Sequence, residues 1–211
     1  MYTFSLSSYP SILGQIRLSS SDIVQQVSTY RLQFIQVRNQ RVEWGTRLPM
    51  FVPSFYDFVI ANNIIPTQEQ FYKKYLLDNK DFFVQQNFSE EFMYGLRARA
   101  YRTYPSLVRD VCFNKYVQEH LSGYDVVYNI ALDVEEGIDL MISKSEKHYA
   151  VSLYTNTNRA YVGRAAKVHR HNKFDNVEYI EFPVDFKGSL HAGDFFLYGE
   201  KEYRNLINLL R

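Results

Sequence analysis

The stretch that decides the fold is residues 126–172, which reads VVYNIALDVEEGIDLMISKSEKHYAVSLYTNTNRAYVGRAAKVHRHN. It contains three short apolar runs, VVYNIALD, GIDLMIS and HYAVSLYT, each bounded by turn-forming or charged residues, as strands are. The links between the runs are short, so an antiparallel meander of three strands is predicted. A predicted helix, NRAYVGRAAKVHRH, and a fourth predicted strand, VEYIEFPVD, follow. The order strand, strand, strand, helix, strand is the most informative pattern in the chain.

The N-terminal part of the chain has a different pattern and is predicted to be mostly helical. Residues 1–20 read as a loosely structured arm, and a helix is predicted from Ser21 or Asp22 to a stop near Gly45. Thr67 and Gln70 have the spacing of a capping box, which predicts the start of another helix. The remaining predictions are a short helix at 54–63, a helix after Ser89, a helix that begins at Pro105 and ends before Ser122, an edge strand near 191–199 and a terminal helix at 200–211.

The composition excludes some classes of protein. The chain has 211 residues, of which 46% are hydrophobic and 22% charged, so it can bury a core. The predicted division is a helical N-terminal region, 1–88, and an α/β core, 89–211. A net charge of +1 excludes a generally polycationic protein, so nucleic acid could bind only at local basic patches. A single cysteine, Cys112, excludes an intrachain disulfide and is predicted to be a buried thiol in a reducing compartment.

Neither a run of eighteen apolar residues nor the basic, apolar start of a signal peptide is present in this sequence. A cytoplasmic protein without membrane contact is therefore predicted.

Charge is unevenly distributed along the central stretch. Residues 121–157 contain six acids and two bases, whereas residues 158–173 contain five bases and no acid. At about 100° per residue, one face of the predicted helix is basic. An amphipathic helix that only faces solvent usually mixes acids with bases, so a phosphate-binding face is predicted. Its residues are Arg159, Arg164, Lys167, Arg170 and His171.

The polar turn before this predicted helix is a second candidate phosphate site. Thr155 and Asn156 lie where a helix N-terminus would present backbone N–H groups to an anion. Capping by Thr157 or Asn158 explains the same residues without a ligand.

The predicted order of elements resembles the core of the PD-(D/E)XK nuclease superfamily, which has a restriction-endonuclease-like fold. In that family a helix, a three-stranded meander, a helix and a strand form the core, and an Asp on the second strand binds the metal. The run GIDLMI places Asp139 at the corresponding position. An acid between Ile138 and Leu140 on a core strand is costly to bury unless a partner or metal faces it. The resemblance implies that Asp139 is catalytic and binds Mg²⁺ or Mn²⁺.

The chain departs from the family on the third strand. Where the family has a carboxylate, any residue and a Lys, this sequence reads Ser152-Leu153-Tyr154. Lys167 or Arg164 on the following predicted helix is the candidate to replace the missing catalytic Lys. Asp133 or Glu136, near the end of the first predicted strand, is the candidate for the second metal-binding carboxylate. The degenerate motif is equally consistent with a catalytically inactive relative.

Three functional hypotheses follow. The leading one is metal-dependent phosphodiester hydrolysis, with nucleic acid as the partner, DNA favoured over RNA, and a homodimer possible. The first alternative is a non-catalytic module that binds nucleic acid or protein with a decayed nuclease site. The second alternative is a sensor of a nucleotide or another phosphate ligand, held by the polar turn and Arg159.

Overall fold

The chain is built around a four-stranded mixed sheet, and the computed structural model describes residues 3–158 and 174–210. The strands lie in the order β1 (Asp125–Val127), β2 (Leu140–Lys144), β3 (Lys147–Thr155) and β4 (Val177–Val184). The first three pair antiparallel, whereas β4 is parallel to β3. A parallel pair requires a crossover connection. The predicted helix at 158–171 belongs to that connection and, apart from Asn158, lies outside the described residues. The prediction of a mixed α/β chain is confirmed.

The first apolar run of the meander is only partly a strand, which corrects the prediction. After β1 the chain forms a short helix, α6 (Ile130–Glu136). The Asn129 side chain accepts hydrogen bonds from the N–H groups of Ala131 and Leu132, and Gly137 ends the helix at a φ of 67°. These are the residue types that cap helices, and they override the apolar pattern between them.

Most of the other helices of the described chain pack against one long helix or against each other. They are α1 (Ser20–Ser28), α2 (Phe51–Asn62), α3 (Gln68–Asp78), α4 (Lys80–Gln86), α5 (Glu90–His120) and α7 (Glu200–Ile207). The capping box of Thr67 and Gln70 is confirmed at the start of α3, and the Ser89 cap at the start of α5. The terminal helix is also confirmed. The predicted edge strand is a hairpin of two strands, β5 (Leu190–Ala192) and β6 (Phe195–Leu197).

The predicted long helix from residue 21 to residue 45 is wrong. The first helix starts earlier, with Ser19 and Asp22 forming its capping box, and it ends at Ser28. Ser28 and Thr29 donate their hydroxyls back to the carbonyls of Gln25 and Gln26, which competes with helix continuation. The following chain has no helical hydrogen bonds until a π-helical turn, Arg41–Gly45.

The predicted loose arm at residues 1–20 is also wrong, since its described part is packed. Leu13 and Ile16 are buried in the main core. The Nζ of Lys115 on α5 donates to both of their carbonyl oxygens, at 3.4 and 3.2 Å. The N–H of Ile12 donates to the carbonyl of Tyr128 at 2.9 Å. Contacts with residues that are distant in sequence therefore fix this segment, although its composition is typical of a loop.

Pro105 lies inside α5 rather than at the start of a helix, which corrects another prediction. A proline cannot donate to the carbonyl four residues earlier, and such an interruption usually breaks a helix. Here that carbonyl belongs to Tyr101, and the Nε2 of Gln68 donates to it at 3.0 Å in a buried position. A side chain of α3 thus replaces the backbone donor that Pro105 lacks.

The sheet is covered on both faces. Leu140 and Ile142 of β2 pack into the main core with α5, whereas Met141 between them joins a second cluster with Phe4 and Leu132. The main core contains residues of both predicted regions, 1–88 and 89–211, and the division between them stays a prediction. Cys112 is buried, as predicted. Among the described residues, no helix has the length and apolar character needed to cross a membrane.

We predict that Gln68→Leu destabilises the chain because it leaves the Tyr101 carbonyl buried without a donor. The expected loss is roughly 1–3 kcal/mol in the free energy of unfolding, measured with urea and circular dichroism. In a Pro105→Ala background the restored backbone N–H can serve the same carbonyl, so the loss should be smaller by about 1 kcal/mol. Gln68 also bonds to Gln33, and this contribution cancels in the double-mutant cycle. An equal loss in both backgrounds would contradict the role assigned to Gln68.

Candidate functional site

Asp139 lies immediately before β2, one residue ahead of the predicted strand position. Its Oδ2 accepts a hydrogen bond from the N–H of Leu153 at 2.6 Å, and its N–H donates to the carbonyl of Val151 at 3.0 Å. Its own carbonyl accepts from the Nδ2 of Asn114 on α5 at 3.4 Å. Asp139 is therefore fixed between β2, β3 and α5, and its carboxylate helps to hold the two strands together.

Ser152 occupies the position opposite Asp139 on β3. The register pairs Leu140 with Val151, so one further residue brings Asp139 against Ser152. Ser152 is buried, and its hydroxyl donates to the carbonyl of Gly137 at 2.9 Å. This side chain is thus bonded to the loop before β2.

Asp133 and Glu136 lie on α6 and not on the first strand, which corrects their predicted placement. The Oδ2 of Asp133 accepts a hydrogen bond from the hydroxyl of Tyr128 at 2.6 Å. Glu136 is the last residue of α6, next to the Gly137 cap. In the described part of the chain, no three His, Cys, Asp or Glu side chains are grouped so that they could hold a metal ion. Among the described residues Asp139, Asp133 and Glu136 are therefore not grouped as a three-ligand site, and the binding of a metal ion by Asp139 with one of the other two stays a prediction.

Asp110 is an acid of this region that the sequence analysis missed. It projects from the middle of α5 and is partly buried, and it accepts no hydrogen bond from any residue that the structure describes. Burial raises the pKa of Asp110 to about 7, Arg109 opposes this increase, and Asp133 adds to it. Its position between Val108 and Val111 in an apolar helix was the available sequence signal.

Two tyrosines complete the surroundings of these acids. The rings of Tyr56 on α2 and Tyr128 stack with centroids 4.5 Å apart. Burial raises the pKa of Tyr56 well above its usual value, and the nearby carboxylates of Asp110 and Asp133 raise it further. Burial also raises the pKa of Tyr128. Both phenols are therefore protonated at neutral pH, which matches the donation from Tyr128 to Asp133.

The predicted phosphate site at Thr155 and Asn156 has part of its donor set engaged within the chain. Thr155 is the last residue of β3. The N–H of Asn156 donates to the carbonyl of Val184, and the N–H of Thr157 donates to the carbonyl of Thr155, both at 2.7 Å. These two N–H groups are committed to the sheet end and the turn. The basic residues Arg159, Arg164, Lys167, Arg170 and His171 lie outside the described residues.

The arginines of α5 also serve contacts within the chain. Arg97 pairs with Glu69 at 2.7 Å, and Arg102 pairs with Glu43. Arg99 donates to the carbonyl of Val42, and the Nε of Arg109 donates to the carbonyl of Phe196 at 2.7 Å. The basic character of this stretch is therefore largely structural.

Comparison with protein-family models, with curated proteins and with solved structures found no match to this chain.

We predict that Asp110 makes stability depend on pH. Between about pH 4 and pH 7 the folded chain holds a proton on Asp110 that the unfolded chain has released. The free energy of unfolding contributed by this group therefore falls as the pH rises through that window and is constant above it. Asp110→Asn removes the penalty and should stabilise the chain at pH 8 by roughly 1–4 kcal/mol, with a smaller gain at pH 5.

The measurement is urea unfolding at both pH values, with the exposed Asp125→Asn as a matched control. The control should change stability by less than about 0.5 kcal/mol at either pH. A gain at pH 8 that is no larger than the gain at pH 5 would show that Asp110 is not the group responsible.

Proposed function

We propose that the chain has a restriction-endonuclease-like core and binds nucleic acid without hydrolysing it. The observation that carries the proposal is the arrangement of the sheet. The long helix α5 precedes three antiparallel strands, and a crossover connection then leads to a fourth strand parallel to the third. With α6 inserted between β1 and β2, the described elements follow the order of a helix, three strands and a fourth strand that the resemblance implies. Fold alone does not fix an activity, so the choice between hydrolysis and binding depends on the residues at the predicted catalytic position.

The residues opposite Asp139 favour binding over hydrolysis. A hydrolytic centre of this kind uses two or more carboxylates to hold metal ions against the phosphate. Here Ser152 stands across from Asp139, bonds to Gly137 and is buried. The Asp139 carboxylate accepts the N–H of Leu153. Because both side chains connect β2, β3 and the preceding loop, the region has the contacts of a structural junction.

A concentration of positive charge suited to nucleic acid lies in the crossover connection. The described chain leaves β3 through Thr155 and re-enters at Phe174 before β4. The intervening sequence, 159–173, has five Lys and Arg residues and no acid. Lys and Arg clusters bind the phosphate backbone by releasing its counterions. Since the arginines of α5 are engaged within the chain, this segment is the proposed backbone contact.

We predict that the purified protein binds DNA with a strong dependence on salt. Charge reversal of Lys167 and Arg170 to Glu should weaken binding and reduce the slope of log K against log salt by about 2, since roughly one unit is lost per phosphate contact. Asp139→Ala should leave binding within about threefold of the parent at matched stability, because this residue lies outside the proposed contact. The measurement is fluorescence anisotropy of labelled DNA and RNA, single-stranded and duplex, from 50 to 200 mM salt.

The same preparations, incubated with plasmid, single-stranded DNA and RNA in Mg²⁺ or Mn²⁺, separate binding from hydrolysis. Intact substrates are expected at every protein concentration that gives full binding. Cleavage that disappears in Asp139→Ala would overturn the non-hydrolytic proposal and establish a metal-dependent nuclease. Failure of every nucleic acid to bind at 50 mM salt would overturn the proposal as a whole.

A further inference from the structure

The segment between α1 and α2 exposes large aromatic side chains together with arginines. Phe34 is 68% exposed and Trp44 is 78% exposed. The arginines at 38, 41 and 47 are also exposed. Phe34 and Trp44 expose apolar ring surface to water within a segment that also carries exposed cations, which makes this segment a candidate binding surface. We call residues 31–47 the aromatic–arginine segment.

The backbone of this segment is held firmly although its side chains face solvent. Arg102 on α5 donates to the carbonyls of Ile35 and Val37, the latter at 2.7 Å, and Arg99 donates to the carbonyl of Val42. Gly95 lies on the same side of α5, and a Cβ there would overlap the side chain of Asn39. Gly95, Arg99 and Arg102 are spaced four and three residues apart and therefore share one face of α5, and the segment packs along this face.

A second set of contacts fixes the start of the segment. The Oε1 of Gln68 accepts from the N–H of Gln33 at 2.7 Å, and its Nε2 donates to the Gln33 carbonyl at 3.1 Å. Asp194 accepts from the N–H of Leu32 at 2.9 Å. These hydrogen bonds already fix the backbone of the segment on the body of the protein. Binding through its outward side chains therefore costs little backbone entropy.

The charge of the segment favours an anionic partner. Residues 31–47 contain four arginines and one acid, Glu43, which pairs with Arg102. Arg31 pairs with Asp194, and Arg41 lies over the ring of Phe92 at 5.6 Å. Arg38 and Arg47 form no ion pair with any residue that the structure describes. A second copy of the chain would bring these arginines against their equivalents, so self-association through this surface is disfavoured by charge.

We propose that the aromatic–arginine segment binds single-stranded nucleic acid, with unpaired bases stacking on Phe34 and Trp44 and phosphates contacting the exposed arginines. Proteins bind single strands by this combination of aromatic platforms and cations. A duplex keeps its base faces stacked inside the helix, so the two rings select unpaired bases. This inference rests on the proposed function and names the form of nucleic acid that this surface takes.

The chain offers a direct reporter of this contact. Trp44 is the only tryptophan in the sequence, so tryptophan emission reports on this segment alone. Titration with a 20-nucleotide oligothymidylate should quench that emission, and the quenching should saturate at the same oligonucleotide concentration as the anisotropy of a labelled copy. A duplex of equal length should quench it less at equal occupancy.

Alanine variants test the two proposed stacking contacts one at a time. Phe34→Ala and Trp44→Ala should each weaken binding of the oligothymidylate about 5- to 150-fold, the range expected for loss of one stacked base. Phe186→Ala is the matched control, because Phe186 is 60% exposed and lies outside the segment. The control should bind as the parent does. The three positions are exposed, so the variants should unfold close to the parental urea concentration. The Phe186 ring lies 5.8 Å from the Arg109 guanidinium, so the control is compared at matched stability.

The outcomes distinguish this inference from the function on which it rests. If the oligothymidylate binds but Trp44 emission is unchanged and both variants bind normally, this inference is overturned and nucleic-acid binding stands. If no oligonucleotide binds, both are overturned. Emission that shifts with protein concentration alone, or with phosphatidylserine vesicles and not with the oligothymidylate, would assign the surface to a second copy or to a membrane and overturn the inference.

Discussion

Burial of α5 along its whole length is the constraint on which the rest of the structure depends. More than half of its residues are buried, from Phe92 near the start to Val117 near the end. Helices α1, α2 and α3, strand β1 and the β5–β6 hairpin all contact it. On the covered sides of such a helix, buried polar side chains are costly unless they are hydrogen-bonded, and most of those on α5 bond to neighbouring segments. These bonds decide where the neighbouring segments lie.

The polar side chains of α5 therefore act as attachment points for irregular chain. Lys115 holds the N-terminal segment by two carbonyls, and Arg109 holds β6 through Phe196. Arg102 holds the aromatic–arginine segment, and Asn114 holds the carbonyl of Asp139. Most of these bonds are donated to backbone carbonyls. These hydrogen bonds position the segments through their backbone and not through their side chains. The outward side chains of the segments can therefore serve in binding.

Local signals in the sequence were sufficient for some elements of the fold. The capping box at Thr67, the cap at Ser89 and the alternating or continuous apolar runs of β3 and β4 lie where they were predicted. In these elements the residues that start or fill the structure are neighbours in sequence.

The wrong predictions share a physical cause. In each case a group distant in sequence interacts with the segment and changes its structure or its environment. Gln68 removes the helix-breaking effect of Pro105, and Asp194 takes the N–H of Leu32 where a helix was predicted to continue. For the candidate site, the sequence indicated Asp139 and its unusual partner Ser152. It did not indicate Asp110, whose pKa depends on burial and on Asp133 of another helix. The exposure of Trp44 was hidden by the same error that extended α1.

The contacts of the N-terminal segment also impose an order on folding. The N–H of Phe4 donates to the Oδ1 of Asn176 at 2.8 Å, and the Nδ2 of Asn176 donates back to the Phe4 carbonyl, across 172 positions of sequence. Contacts of such separation form late, since closing a long loop costs entropy before any bond rewards it. During synthesis the segment cannot complete its docking until the ribosome has released residue 176. Until then Phe4 lacks the ring of Phe174 that packs against it in the finished fold, and the nascent chain depends on its own helices or on chaperones to avoid aggregation.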